Sequence, residues 1–101
     1  MAVVSGPDVP GDVMAALAHA TRIPADPPPE DPGELAAWWR DTATAHDVRA
    51  AAYERLYAWQ SMQGRHRAEL QATTAAVDAA RASAWEARRT AMEIERDRRG
   101  R

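Results

Sequence analysis

The histidines and serines are the side chains of this sequence with the widest scope for chemistry, because the chain contains no cysteine. Without cysteine there is no thiol nucleophile, Cys-ligated zinc site, iron–sulfur cluster or disulfide. None of the three serines lies in a Gly-x-Ser-x-Gly context, and the five glycines are scattered instead of forming a phosphate-binding loop. We therefore predict no catalytic residue and no cofactor, and we expect that the protein is not an enzyme.

Two positions could supply a base or a metal ligand: His46, and His66 together with Glu69. His46 lacks an orienting carboxylate, since Asp47 follows it directly and points off the same helix face. His66 and Glu69 are three residues apart, but a di-iron bundle needs Glu-x-x-His on two helices and two further glutamates. Arginines also flank His66 on both sides and repel cations. We predict a packing role for His46, a solvated turn at His66 and no metal site.

The C-terminal end is rich in arginine, which raises the question of nucleic-acid binding. Acidic residues are threaded among the arginines at helical spacing, as in the pair Glu95 and Arg99. A helix dedicated to phosphate contacts would carry a surplus of positive charge on one face. We favour a solvated helix face, and keep a nucleic-acid-binding accessory role as the alternative, with candidate residues Arg88, Arg89, Arg96, Arg98, Arg99 and Arg101.

Residues 35–98 position these side chains, and they share one continuous heptad pattern. Steps of three and four residues connect small and apolar side chains from Leu35 to Ile94, which is the pattern of a coiled coil and predicts a partner helix. We call these positions the seam; they are Leu35, Trp38, Thr42, Ala45, Arg49, Ala52, Leu56, Trp59, Gln63, His66, Leu70, Thr73, Val77, Ala80, Ala84, Ala87, Ala91, Ile94 and Arg98.

Gly64 divides this pattern near its midpoint and predicts a helical hairpin over residues 33–99 with a turn near 63–66. Glycine costs ~1 kcal/mol in a helix interior and is common just past a helix end. In the folded hairpin, Leu35 would lie opposite Ile94, and Leu56 opposite Thr73. The alternative is one long coiled-coil helix of ~100 Å that pairs with a second copy. The predicted fold class is all-α in both cases.

A second stripe on the first long helix suggests a second neighbour. It consists of Trp39, Ala43, His46, Ala50, Tyr53, Tyr57 and Gln60. Two apolar faces on one helix require two packing partners, so we predict a homodimer or higher homo-oligomer, in the simplest case a four-helix arrangement of two hairpins. The predicted partner-binding residues are Trp39, His46, Tyr53 and Tyr57.

The N-terminal third contains a short predicted helix between two irregular segments. Residues 1–10 lack periodicity and are predicted to be flexible, whereas Asp12 can cap a helix over 11–22. Such a short helix could fold onto the hairpin, dock residues 12–21 on a protein partner, or stay disordered. A proline-rich acidic linker follows over 23–32. Asp31, Pro32 and Glu34 form the capping signal of the first long helix.

The overall composition bears on the source of the protein and on its cellular compartment. Every basic residue other than histidine is arginine and alanine is the commonest residue, which indicates a GC-rich bacterial, phage or mobile-element genome. No apolar run approaches the ~20 residues of a membrane span, and the N-terminus lacks a secretory signal pattern. We predict a cytoplasmic helical interaction or scaffold protein, for example a phage or mobile-element structural or adaptor component.

One family resemblance concerns length and general shape only. About 100 residues folded as two long helices around a central turn resembles the small secreted helical-hairpin proteins of actinobacteria named for a Trp-x-Gly turn. In this sequence Trp59 and Gly64 are farther apart than that motif requires. The C-terminal Tyr-based export signal of those proteins has no counterpart, since the last tyrosine is Tyr57. The resemblance therefore implies nothing about function.

Overall fold

The computed structural model describes residues 10–20 and 27–100, and these ranges contain three helices. They are α1 (Gly11–Ala20), α2 (Pro32–Met62) and α3 (Arg67–Arg99). The long helices α2 and α3 pack against each other as a hairpin, and α1 packs on α2. The longest dimension is 56 Å, whereas an unbroken helix would measure ~100 Å. The predicted all-α hairpin is confirmed, and the alternative of one continuous rod is wrong.

The long helix α2 begins at the predicted capping signal. The Asp31 carboxylate accepts a hydrogen bond from the backbone N–H of Glu34 at 3.0 Å. Pro32 occupies the first turn, where its missing N–H is not needed. Glu34 adds negative charge at the positive end of the helix dipole.

A four-residue turn over 63–66 joins α2 to α3. Gly64 has a φ of +66°, a left-handed conformation that glycine adopts without steric cost. The Arg65 N–H donates to the Gln60 carbonyl at 3.0 Å and closes the end of α2. His66 then caps α3, because its ring Nδ1 accepts from the Ala68 N–H at 3.2 Å. The turn histidine therefore has a structural role.

Small side chains fill the contact between α2 and α3. Ala43 is fully buried and packs with Ala84 and Ala87 of α3. Ala36 and Ala50, one heptad to either side of Ala43, are at most 1 % exposed. Methyl side chains let the two helix backbones approach closely, because interaxial distance depends on the side chains at the contact. The buried residues of α3 all belong to the predicted seam: Thr73, Ala80, Ala84, Ala87 and Ala91.

The face of α2 that meets α3 differs from the sequence-based prediction. Ala43, Ala50 and Gln60 belong to the second stripe, which we expected a second neighbour to cover, but all three are buried within the chain. Ala43 packs on Ala84 and Ala87 of α3. Leu56 was expected opposite Thr73, whereas Thr73 donates a hydrogen bond to the Gln60 side chain at 2.7 Å. Gln60, and not Leu56, is therefore the α2 residue that contacts Thr73. The physical reason is that the alanine stripe of α2 can approach the alanine seam of α3 more closely than Leu56 can.

Helix α1 covers part of the α2 face that α3 leaves open. Val13 is buried against Leu56, and Leu17, Tyr53 and Trp59 pack around this pair. The Asp12 carboxylate forms an ion pair with Arg55 of α2. Of the three sequence-based alternatives for this segment, the structure shows the helix folded onto the hairpin. A protein partner for residues 12–21 stays a prediction.

Several sequence-based expectations fall on residues that the structure does not describe. These are the flexible terminus over 1–9, the last residues of the short helix predicted over 11–22, the first part of the linker predicted over 23–32, and Arg101.

None of the three helices in the described ranges has both the length and the apolar character to cross a membrane.

Candidate interaction surface

The four predicted partner-binding residues lie in different environments. Trp39 packs against the alanine cluster of the hairpin, and Tyr53 packs against the Val13–Leu56 contact with α1. His46 is partly buried, whereas Tyr57 is 40 % exposed. Trp39 and Tyr53 thus pack within the chain. Partner binding by these residues stays a prediction.

His46 is held next to a cation. An Arg49 guanidinium nitrogen lies 2.6 Å from the ring Nδ1, so the neutral imidazole accepts a hydrogen bond there. Burial lowers the pKa of His46 below its ordinary value of 6.5, the Arg49 charge lowers it further, and Asp47 opposes the shift. The surroundings therefore favour a neutral imidazole in a structural role.

Three ion pairs join α2 to α3 along one side of the hairpin. The α2 member recurs every seven residues, at 40, 47 and 54, and so does the α3 member, at 81, 88 and 95. We call this side the ion-pair face; its pairs are Arg40 with Glu95, Asp47 with Arg88, and Glu54 with Arg81. Exposed ion pairs contribute ~0–1 kcal/mol each, so they fix register more than they stabilise the hairpin.

Large apolar side chains flank the ion pairs on α3. Trp85 and Met92 are 61 % and 56 % exposed and lie one heptad apart. Both are within one helical turn of Arg88, which places them on the ion-pair face. Asp78 and Arg99 continue the same row at its two ends and are also exposed. The Arg89 guanidinium lies 5.4 Å from the Trp85 ring centroid and covers part of the ring.

Small exposed side chains flank the ion pairs on α2. They also recur every seven residues, each one turn from an ion-pair residue. This row consists of Ala37, Thr44, Ala51 and Ala58. The ion-pair face therefore has a row of small residues on one helix and a row with two large apolar residues on the other.

An open groove extends the ion-pair face toward the turn. Its volume is about 550 Å³, and Tyr57, Leu70, Thr74 and Asp78 are among its lining residues. Tyr57 is thus the one predicted partner-binding residue, within the described part of the chain, whose exposure and position both place it on this face.

Three of the six arginines of the nucleic-acid alternative lie next to acidic side chains. Arg88 pairs with Asp47, Arg89 lies 3.5 Å from Glu93, and Arg99 lies 3.9 Å from Glu95. Arg98 lies beside Gly33 and Pro32 at the start of α2, and Arg96 is exposed in the last turn of α3. Nucleic-acid binding stays a prediction.

Within the described residues no three histidine or acidic side chains are grouped so that they could hold a metal ion. Two buried polar atoms there, Trp38 Nε1 and Glu69 Oε2, lack a hydrogen-bond partner. They lie at opposite ends of the hairpin and do not form a common site.

Sequence reasoning did not identify Trp85 and Met92 as functional candidates. Both lie outside the predicted seam, and the heptad pattern of buried residues therefore does not include them. The available signal was a pair of large apolar residues one heptad apart, within an otherwise charged outer surface of α3.

Comparison of the chain with protein-family models, with curated proteins and with solved structures gave no match.

Proposed function

We propose that this protein is a non-enzymatic helical interaction module that assembles with further copies of itself and serves as a cytoplasmic scaffold or adaptor. The observation that carries the proposal is the exposure of Trp85 and Met92, one heptad apart on α3. The arginine-only basic composition favours a GC-rich bacterial, phage or mobile-element source, where such a module would be a structural component.

The exposure of Trp85 and Met92 supports an interaction role for these two side chains. A tryptophan that is 61 % exposed leaves a large apolar area in water, at a cost of about 25 cal/mol per Å² relative to burial. Tryptophan is also enriched among the residues that dominate binding energy at protein interfaces. A protein surface can cover both side chains without any change in the hairpin, because they already point outward.

The solution mass of the purified protein tests this proposal. Light scattering on a sizing column, over a hundredfold range of protein concentration, should give a multiple of the 11.1 kDa chain mass. A mass that falls toward 11.1 kDa on dilution would yield the dissociation constant. A monomer at every concentration, up to the millimolar range, would contradict self-assembly.

A further inference from the structure

We propose that the ion-pair face is the contact between two copies of this chain, related by a two-fold axis that runs along the hairpin. In this arrangement α2 of each copy lies on α3 of the other. The inference rests on the proposed function, since it requires self-assembly, and it adds the face, the partner and the orientation.

The charges of the ion-pair face support this orientation. The α2 charges are positive at Arg40 and negative at Asp47 and Glu54, and α3 carries the opposite charge at each level. An axis along the hairpin keeps every residue at its own level and places α2 over α3 of the partner. All three levels then bring opposite charges together between the copies as well as within each copy.

A perpendicular two-fold axis matches the charges less well. It would place α2 over α2 and α3 over α3 of the partner, running in opposite directions. The end levels would still pair opposite charges, but the middle level would bring two copies of Asp47 together and two copies of Arg88 together. Like charges across an interface disfavour that arrangement.

The sizes of the flanking side chains support the same orientation. Thr44 lies four residues after Arg40 and three before Asp47, while Met92 lies four after Arg88 and three before Glu95. Thr44 and Met92 therefore lie between the same two ion pairs, within one residue of the same level, or ~1.5 Å along the helix axis.

The next level of the face repeats this relation. Ala51 follows Asp47 by four residues and precedes Glu54 by three, and Trp85 has the same spacing from Arg81 and Arg88. In the proposed dimer each large side chain meets a small one, Met92 on Thr44 and Trp85 on Ala51 of the partner subunit. Large-on-small contacts of this kind allow close packing.

The exposed apolar side chains and the ion pairs have different roles in the proposed dimer. Trp85 and Met92 supply the apolar area that gives affinity, because exposed ion pairs contribute little net binding. The charge pattern selects the partner face and its register.

Cysteine cross-linking tests the orientation directly, because the chain contains no cysteine of its own. The single variants Thr44→Cys and Met92→Cys are prepared separately, mixed in the reduced state and oxidised. We expect a disulfide-linked dimer that contains one copy of each variant, identified by mass. Either variant oxidised alone should form a disulfide-linked dimer far less, since each cysteine then lies opposite a residue without a thiol.

A second mixture tests the competing orientation. The perpendicular axis places Thr44 close to Ala51 of the partner subunit, so a mixture of Thr44→Cys with Ala51→Cys would become cross-linked. Preferential cross-linking of that mixture would overturn the proposed axis. Equal, slow cross-linking of all mixtures in a protein that is dimeric by mass would overturn the proposed face.

Substitution of the exposed tryptophan tests the source of affinity. Trp85→Glu should raise the dimer dissociation constant roughly 30-fold or more, the scale of a hot-spot residue. The matched control is Ala79→Glu, which places the same charge at an exposed position on another side of α3 and should leave the constant unchanged. Circular dichroism should show the same helicity for both variants, because neither residue is buried.

These measurements separate failure of this inference from failure of the proposed function. A wild-type protein that is monomeric by mass would contradict both. A wild-type dimer that Trp85→Glu leaves intact, and that does not join position 44 to position 92, would retain self-assembly and overturn the ion-pair face.

Discussion

The two packed faces of α2 achieve burial with opposite kinds of side chain. Toward α3, Ala43 packs on Ala84 and Ala87, and Ala36 and Ala50, one heptad to either side of Ala43, are likewise at most 1 % exposed. Toward α1, the contact consists of one large buried side chain, Leu56, with the rings of Tyr53 and Trp59 around it. The first contact extends along most of the hairpin, whereas the second is limited to one end of α2.

This difference indicates how each contact is stabilised. An alanine side chain buries little apolar area, so the α2–α3 contact depends on many close approaches between backbones. A fully buried leucine contributes ~1.5–3 kcal/mol, so the α1 contact depends on a few side chains. The hairpin should therefore be sensitive to added volume, and the α1 contact should be sensitive to lost volume.

Removing volume at the α1 contact should have the largest effect. Leu56→Ala deletes a side chain that is 3 % exposed, and such changes cost about 2–5 kcal/mol. An isolated helix as short as α1 is marginal in water, so this loss should release it from the hairpin. Hydrogen exchange measured by mass spectrometry should show lost protection in Gly11–Ala20 and retained protection in most of α2 and α3.

The matched control for this prediction is Met62→Ala. It removes a side chain of similar size that is 84 % exposed at the end of α2, and it should change the unfolding free energy by less than about 0.5 kcal/mol. An equal loss of protection in all three helices of Leu56→Ala would show that the two contacts form one cooperative unit. It would contradict the inference that each contact is stabilised separately.

Adding volume to the hairpin should have the next largest effect. Ala43→Leu inserts three carbon atoms at a position with no exposed surface, against Ala84 and Ala87. Overpacking of this kind costs about 1–3 kcal/mol, because the helices must separate or the side chain must leave its preferred rotamer. Urea unfolding followed by circular dichroism measures the loss.

Ala79→Leu provides the control for added volume, since Ala79 is exposed on α3 and the same change there meets no neighbour across the hairpin. It should leave the midpoint of unfolding nearly unchanged. If Ala43→Leu is also neutral, the two helices are not in close contact at this position, and the contrast between the two faces of α2 is lost.

Some parts of the fold were predictable from sequence because local residues determine them. The start of α2 and the turn at Gly64 depend on local signals, a capping aspartate and a residue that tolerates positive φ, so they could be located directly. The α3 seam was also predictable, because its heptad stripe of small residues has no competing stripe beside it. Local chemistry and a unique periodicity were sufficient in these cases.

The assignment of neighbours to α2 was not predictable in the same way. Its two stripes have the same heptad spacing and lie side by side, so periodicity alone does not show which one meets α3. The outcome depends on how closely the Ala43 stripe can approach α3, and on α1 returning to cover Leu56. Both are tertiary effects between segments distant in sequence. For the same reason Trp85, which contacts neither α1 nor the seam, was overlooked as a surface feature.

His46 lies between the two contacts, and its lowered pKa predicts that the stability of the fold depends on pH. It is one heptad from Trp39, which packs on the alanine cluster, and one heptad from Tyr53, which packs on α1. Burial and the Arg49 charge lower the pKa of His46 below 6.5 in the folded chain. Below pH 6.5 the unfolded chain therefore binds a proton more readily than the folded chain does, and stability is lost as pH falls through the lowered value.

The melting temperature should decrease as the pH is lowered from 7 to 5.5, and we expect this to be the smallest of the predicted effects. His46→Gln should flatten the pH dependence, because glutamine does not titrate. Arg49→Gln should flatten it only in part, because the larger cause of the lowered pKa, burial, remains. An unchanged slope in His46→Gln would show that other groups control this pH range. A slope abolished by Arg49→Gln would instead assign the effect to the neighbouring charge, and would mean that the region between the two contacts of α2 is more open to water than the burial of Ala43 and Leu56 indicates.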